Sequence, residues 1–94
     1  MNEYLNEIRF ELDKVDEQLI KLFLDRLELS EKVAKLKFDN GGNIYDPARE
    51  KEKIDRCTDG LQGDNKLMAE DFIKYLMEKS KERQHKVIEN LKNL

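Results

Sequence analysis

The hydrophobic pattern of the N-terminal part of the chain predicts one long amphipathic helix. Apolar residues recur there in alternating steps of three and four, the spacing of an apolar stripe on one helix face. No Gly or Pro interrupts this stretch, and good helix formers fill the other faces. We therefore predict a helix from about Tyr4 to Phe38. Its stripe, here called the apolar seam, consists of Leu5, Ile8, Leu12, Val15, Leu19, Leu22, Leu29, Val33 and Leu36.

Two cations lie on this inner face. Arg26 occupies a seam position where the spacing calls for another Leu, and Lys37 lies about three turns later on nearly the same face. A buried cation without partners carries a large desolvation penalty, so the pair indicates an anionic ligand inside the bundle. Taken alone, Arg26 is equally compatible with a structural ion pair to Glu50, and Lys37 with a favourable interaction at the helix end.

A second, shorter helix follows a glycine-containing loop at residues 39–43. Asp46 is well placed to cap it, and Pro47 suits the first helical position, where its missing N–H costs least. We predict that this helix runs to about Thr58, with Glu50, Ile54 and Cys57 on one face.

The last helix is predicted to start near Leu67, after a second loop at residues 59–65, although no strong cap marks its start. Two apolar patches follow, and the polar residues Ser80 and Gln84 lie between them on one face. The patches consist of Phe72, Ile73 and Leu76, and of Val87, Ile88, Leu91 and Leu94. The pattern as a whole predicts an all-α fold of three helices, long, short and long.

Composition narrows the class of protein. With 94 residues, the chain is expected to form a single domain over 1–94, with no further catalytic or regulatory domain. The net charge of −3 argues against nucleic acid or an anionic membrane as partner. No apolar run reaches the ~20 residues that span a bilayer. One Cys allows neither an internal disulfide nor a thiolate zinc site, and His85 has no second ligand at metal spacing, so we expect a cytoplasmic protein without a metal.

The length of the first helix predicts a second chain. A helix of this extent is about 50 Å long, more than one small domain can cover, so the seam must be exposed or paired. Pairing with a second copy about a two-fold axis is the simplest solution. Arg9 and Arg26 lie about 25 Å apart on one helix, but an antiparallel pair could bring Arg9 of one chain close to Arg26 of the other.

The polar residues combine into a pattern that resembles the all-helical (AroQ-type) chorismate mutases over almost the whole chain. The Tyr-Asp-Pro-x-Arg-Glu stretch, the upstream Arg/Lys spacing and the late Ser-x-x-x-Gln are specific only in combination. The resemblance rests on Ile8-Arg9 with Leu12, Val15-Asp16, Leu24-Asp25-Arg26, Val33-Ala34-Lys35-Leu36-Lys37, Tyr45-Asp46-Pro47-Ala48-Arg49-Glu50 and Ser80-Lys81-Glu82-Arg83-Gln84.

This resemblance implies an intertwined six-helix homodimer that converts chorismate to prephenate without a cofactor, on the route to phenylalanine and tyrosine. It implies that Lys37 and Gln84 donate to the ether oxygen of the breaking bond. The implied substrate-binding residues are Arg26, Asp46, Arg49, Glu50 and Ser80 of one chain and Arg9 of the other.

Two other functions stay open at this point. An isochorismate pyruvate-lyase on the same fold would use a similar cationic pocket for a nearly identical dianion. A non-catalytic helical dimer that serves as an adaptor would instead tolerate, or even gain stability from, a change of Arg26 to Leu.

Overall fold

The computed structural model describes residues 2–94, which form three helices and no strand. Helix α1 spans Asn2–Asn40, α2 spans Pro47–Cys57 and α3 spans Gly63–Lys92. The prediction of an all-α chain with a long, a short and a long helix is confirmed. Met1, the first residue of the predicted domain, lies outside the described residues.

Helix α1 ends where glycine permits a left-handed backbone. Gly41 has φ +73°, and the N–H of Gly42 donates to the carbonyl of Lys37 at 2.9 Å. These two features form the Schellman arrangement, which satisfies a carbonyl group that the helix itself leaves unpaired. Lys37 lies in the last turn, where a cation interacts favourably with the helix dipole.

Helix α2 begins as the sequence predicts. The Asp46 side chain accepts a hydrogen bond from the backbone N–H of Arg49 at 3.1 Å, and Pro47 is the first helical residue. The helix ends at Cys57, one residue before the predicted Thr58, whose hydroxyl donates to the carbonyl of Ile54 at 2.8 Å. Cys57 is exposed, whereas Glu50 and Ile54 on the same face of α2 are half-buried.

Helix α3 begins at Gly63, four residues before the predicted Leu67. The sequence predicts a loop for the polar residues after Gly63, because Asp and Asn favour turns. They form the first helical turn instead, with Asp64 close to the positive end of the helix dipole. Gln62 precedes the helix without a side-chain cap, which is why the sequence contains no clear start signal.

The two long helices pack against each other through a narrow apolar core. This core consists of Leu27 and Ala34 of α1 and of Ile73 and Met77 of α3, and each of these residues is at most 8% exposed. Phe72 is 51% exposed, so its assignment to the inner patch with Ile73 was wrong. Helix α2 packs on α3.

The apolar seam of α1 is not the face that packs on α3. Its nine residues are all 41–64% exposed, whereas the buried residues Leu27, Ser30 and Ala34 lie on the neighbouring face. The structure is 58 Å long, close to the length of α1 alone, and every residue from 2 to 22 is exposed. A single chain therefore covers one face of α1 and leaves the seam open. None of the helices described is long and apolar enough to cross a membrane.

The contact between α1 and α3 yields a prediction for Ala34, which is fully buried. Ala34→Leu adds three carbon atoms where no space exists, so we expect it to lower the free energy of unfolding by about 1–3 kcal/mol. Ala48→Leu makes the same change at an exposed position of α2, and its effect should stay within about 0.5 kcal/mol. Urea unfolding followed by circular dichroism at one fixed protein concentration compares them. Equal effects would mean that α1 and α3 do not pack as described.

Candidate active site

A cavity of about 600 Å³ lies between α1 and α3, and α2 with its preceding loop closes one side. Seven of the eight residues predicted for the site line it, namely Arg26, Lys37, Asp46, Arg49, Glu50, Ser80 and Gln84. The structure therefore brings together side chains that are widely separated in the sequence. The lining holds five cations and two carboxylates, an arrangement that favours an anionic ligand.

Arg26 is half-buried on the α1 wall of this cavity. Its Nη1 donates to the carbonyl of Leu76 on α3 at 3.1 Å. Within residues 2–94 it forms no ion pair, so the alternative of a structural pair with Glu50 was wrong for this chain. Burial lowers the pKa of Arg26 from its ordinary value, because the charged form is partly desolvated. Because Arg26 uses only one of its five guanidinium N–H bonds for the Leu76 carbonyl, the others remain available to a carboxylate of a ligand.

A chain of hydrogen bonds joins α1 to α3 across the floor of the cavity. The hydroxyls of Ser30 and Ser80 lie 2.7 Å apart, and Ser30 also donates to the carbonyl of Arg26 at 3.0 Å. Gln84 Nε2 donates to Ser80 Oγ at 2.9 Å, and Lys37 Nζ donates to Gln84 Oε1 at 3.3 Å. Gln84 is only 6% exposed, so this chain fixes the orientation of its amide.

This hydrogen-bond chain leaves donors for a ligand. Lys37 Nζ also donates to the carbonyl of Ile44 at 3.3 Å, so two of its three N–H bonds are used and one remains. One N–H of the Gln84 amide donates to Ser80, which likewise leaves one. Lys37 and Gln84 can therefore both donate to one ligand oxygen without breaking their mutual contact.

Helix α2 supplies the residues on the other side of the cavity. Asp46 caps α2 through both its side chain and its backbone. Its Oδ1 accepts from the N–H of Arg49 at 3.1 Å, and its carbonyl accepts from the N–H of Glu50 at 3.0 Å. Arg49 is exposed and lies 3.6 Å from Glu52, a weak surface pair. Glu50 is paired with Lys81 of α3, with 3.3 Å between Oε1 and Nζ.

Arg9 is the one predicted site residue that does not line the cavity. It lies on the exposed N-terminal half of α1, about 25 Å along the helix from Arg26. This position agrees with the expectation that Arg9 cannot act within its own chain. Its contribution to a second chain stays a prediction.

Sequence reasoning missed three polar residues of the cavity, Ser30, Lys53 and Lys81. Helical spacing contained part of the signal, because Ser30 follows Arg26 by one turn and Lys53 follows Arg49 by one turn. The apolar residues Leu29, Val33, Ile44 and Met77 complete the lining. Leu29 and Val33 belong to the apolar seam, so the cavity and the seam share a border.

The fold and the cavity together place this chain in a class of all-helical proteins that have a cationic cavity between two long helices. A family model described as chorismate mutase type II matches residues 8–85. The chain therefore belongs to the chorismate mutase type II family.

Two relatives are similar to this chain. The T-protein of Haemophilus influenzae is 35% identical over 83 residues, which cover 83% of this chain and 21% of that protein. The chorismate mutase of Methanocaldococcus jannaschii is 43% identical over 56 residues, which cover 60% of this chain and 57% of that protein. The chain thus spans only part of the length of both relatives. No solved structure matches it significantly.

Proposed function

We propose that residues 1–94 form a chorismate mutase, which rearranges chorismate to prephenate without a cofactor, on the route to phenylalanine and tyrosine. The observation that carries the proposal is the cavity, where seven predicted site residues meet around an excess of positive charge. Family membership and the name of the Methanocaldococcus relative support it. The single, unpaired cysteine is in keeping with a reducing cytoplasm, where we place the enzyme.

The reaction suits a site of this composition. A Claisen rearrangement is intramolecular, so it needs no nucleophile and no proton transfer. What accelerates it is the binding of a flexible dianion in its compact reactive conformer. Fixed cations and hydrogen-bond donors around a cavity do this, because they hold both carboxylates and respond to the charge that develops in the transition state.

Arg26 and Arg9 are the residues that we propose bind the two substrate carboxylates. The guanidinium group presents planar pairs of N–H bonds that match a carboxylate. Arg26 has no competing carboxylate within residues 2–94 and is partly desolvated, which strengthens its attraction for an anion. Ser80, whose hydroxyl lies at the centre of the hydrogen-bond chain, is proposed to add a further hydrogen bond by turning its O–H from Ser30 towards the substrate.

Lys37 and Gln84 are the proposed catalytic pair. As the C–O bond breaks, negative charge develops on the ether oxygen of the substrate. Each of the two side chains retains one N–H bond for this oxygen, and their mutual contact of 3.3 Å holds them together. One donor that is aimed at developing charge is typically worth about 3 kcal/mol in the transition state.

The substrate's ring hydroxyl is proposed to donate to Glu50 and to bind the backbone near Asp46. Glu50 is only 24% exposed, and it faces the same cavity as Lys37 and Gln84. Arg49, which is more exposed, is proposed to support the positive potential rather than to make a defined contact.

The proposed active unit is a homodimer. Leu29 and Val33 line the cavity and are 59% and 41% exposed, so a chain that covers the seam would also close the cavity. An antiparallel pairing of two α1 helices about an axis near Gln18 places Arg9 of one chain level with Arg26 of the other. Each cavity would then gain its sixth cation from the second chain.

The direct test of this function compares two substrates and one variant. Purified protein should convert chorismate to prephenate, whereas pyruvate and salicylate from isochorismate would identify a lyase instead. Arg26→Leu should abolish turnover, because it removes the half-buried guanidinium group that binds a substrate carboxylate. The mass of the oligomer should stay the same. A variant that keeps full activity would contradict the role of Arg26, and an inert wild type would contradict the function and favour an adaptor.

The proposed role of Gln84 implies a specific dependence of activity on pH. Gln84 is neutral, so its donation to the ether oxygen should not change with pH. Gln84→Glu can donate only when the new carboxyl is protonated, and we therefore expect activity that is confined to acidic conditions. Steady-state rates across a pH series measure this for both proteins. The same pH profile in the variant as in the wild type would show that residue 84 does not face the reacting oxygen.

A third prediction tests the shared site. Arg9→Ala and Arg26→Ala should each be inactive, because each site lacks one carboxylate ligand. Refolding the two variants together should restore activity, since one of the two sites in a mixed dimer would contain both arginines. The expected recovery is about a quarter of wild-type activity for random pairing. Each variant refolded alone is the control, and no recovery in the mixture would contradict a site that spans two chains.

A further inference from the structure

Lys81 is a cation that lines the cavity but has no role in the proposed reaction. It follows Ser80 on α3, and its side chain crosses to α2, where Nζ lies 3.3 Å from Oε1 and 3.5 Å from Oε2 of Glu50. Both side chains are largely buried, at 20% and 24% exposure. The ammonium group thus faces both oxygens of the carboxylate.

Two further groups fix the position of this ammonium. Glu78 Oε1, one turn earlier on α3, lies 2.8 Å from Nζ, and the ring centre of Tyr45 lies 5.1 Å away. Lys81 donates hydrogen bonds to the carboxylates of Glu78 and Glu50, which raise the pKa of Lys81 in that order of size, so the side chain is a cation at neutral pH. Lys81 is therefore held by its own helix, by α2 and by the loop between α1 and α2.

Of its two carboxylate partners, Glu50 depends more on Lys81. Glu78 is 65% exposed, so water and salt screen its charge whether or not Lys81 is present. Glu50 points into a cavity that is proposed to hold a dianion, and an unpaired carboxylate there would repel the substrate and turn towards solvent. Within residues 2–94, Lys81 forms the only ion pair that Glu50 makes.

We propose that Lys81 is a positioning residue, which holds the Glu50 carboxylate in the cavity so that it can accept a hydrogen bond from the substrate's ring hydroxyl. This inference rests on the proposed mutase function. By neutralising Glu50, Lys81 allows a carboxylate to bind a hydroxyl group close to two substrate carboxylates. The other cations of the cavity then remain available for the substrate.

Two other roles for Lys81, direct binding of the substrate and a purely structural link between helices, can be distinguished from the positioning of Glu50. A lysine that binds a substrate carboxylate directly would act independently of Glu50. A lysine that merely joins α2 to α3 would affect stability, and any long apolar side chain could replace part of its packing. A positioning residue acts only while Glu50 is present, and another cation of similar length should replace it.

The test is a double-mutant cycle on chorismate turnover with Lys81→Met and Glu50→Ala. Lys81→Met should lower kcat/KM about tenfold in the wild-type chain and less than about twofold in the Glu50→Ala chain. Lys81→Arg should retain most of the activity, because it restores the cation. Lys79→Met is the matched control, since Lys79 pairs with exposed Glu82 at 3.2 Å and does not line the cavity. The activity of the Lys79→Met variant should equal that of the wild type.

Equal losses from Lys81→Met in both chains would overturn the proposal in favour of a direct substrate contact. Loss in both Lys81→Met and Lys81→Arg that matches a fall in thermal stability would overturn it in favour of a helix bridge. If turnover of Glu50→Ala is too slow to compare, the same cycle is measured from the calorimetric affinity for prephenate, which retains the ring hydroxyl. An inactive wild type would contradict the mutase function itself, a result distinct from an active wild type with an indifferent Lys81.

Discussion

Partly desolvated positive charge between α1 and α3 is the constraint on which the rest of the structure depends. Arg26 and Lys37 are half-buried, and neither has a carboxylate partner among residues 2–94. Carbonyl and amide oxygens satisfy some of their donors, which makes the charges tolerable but does not neutralise them. A bound anion with acceptor oxygens at both positions would complete both groups. The same two cations therefore belong both to the contact between α1 and α3 and to the proposed binding site for an anionic substrate.

The polar floor of the cavity follows from the same constraint. A purely apolar contact between α1 and α3 would extend the core around Leu27, Ala34, Ile73 and Met77, yet Ser30, Ser80 and Gln84 interrupt it. Each of these polar groups has a partner, so the interruption costs little stability. The same groups hold the Gln84 amide in one orientation, which a catalytic donor needs before the substrate arrives.

The helices could be predicted from the sequence because they depend on local chemistry and spacing, whereas most of the cavity residues were implied by the resemblance to a known family. The unbroken period of α1, the Asp46-Pro47 start of α2 and the positions of Ser80 and Gln84 all depend on residues close together in the chain. The start of α3 could not be predicted, since Gln62 provides no cap and the residues after it favour turns equally well. Phe72 was misplaced because adjacent residues on a helix point about 100° apart, and the narrow contact between α1 and α3 buries Ile73 but not Phe72.

What required the structure was the pairing of side chains across helices. Ser30 reads as an ordinary helix residue until Ser80 is found 2.7 Å away, and Lys81 reads as one of many solvated lysines until it is found beside Glu50. Such pairs depend on the rotation and offset of α1, α2 and α3, which no single helix encodes. The seam is exposed in a single chain, and the cover that we propose for it is a second chain.

The central claim is that the cavity becomes a chorismate-converting site only when a second copy of the chain covers the seam. Size-exclusion chromatography with light scattering, followed by a chorismate assay on each fraction, tests it most directly. The claim predicts that prephenate formation coincides with the mass of two chains and is lost in fractions with the mass of one. Full activity per chain in single-chain fractions, or no activity in two-chain fractions, would contradict it.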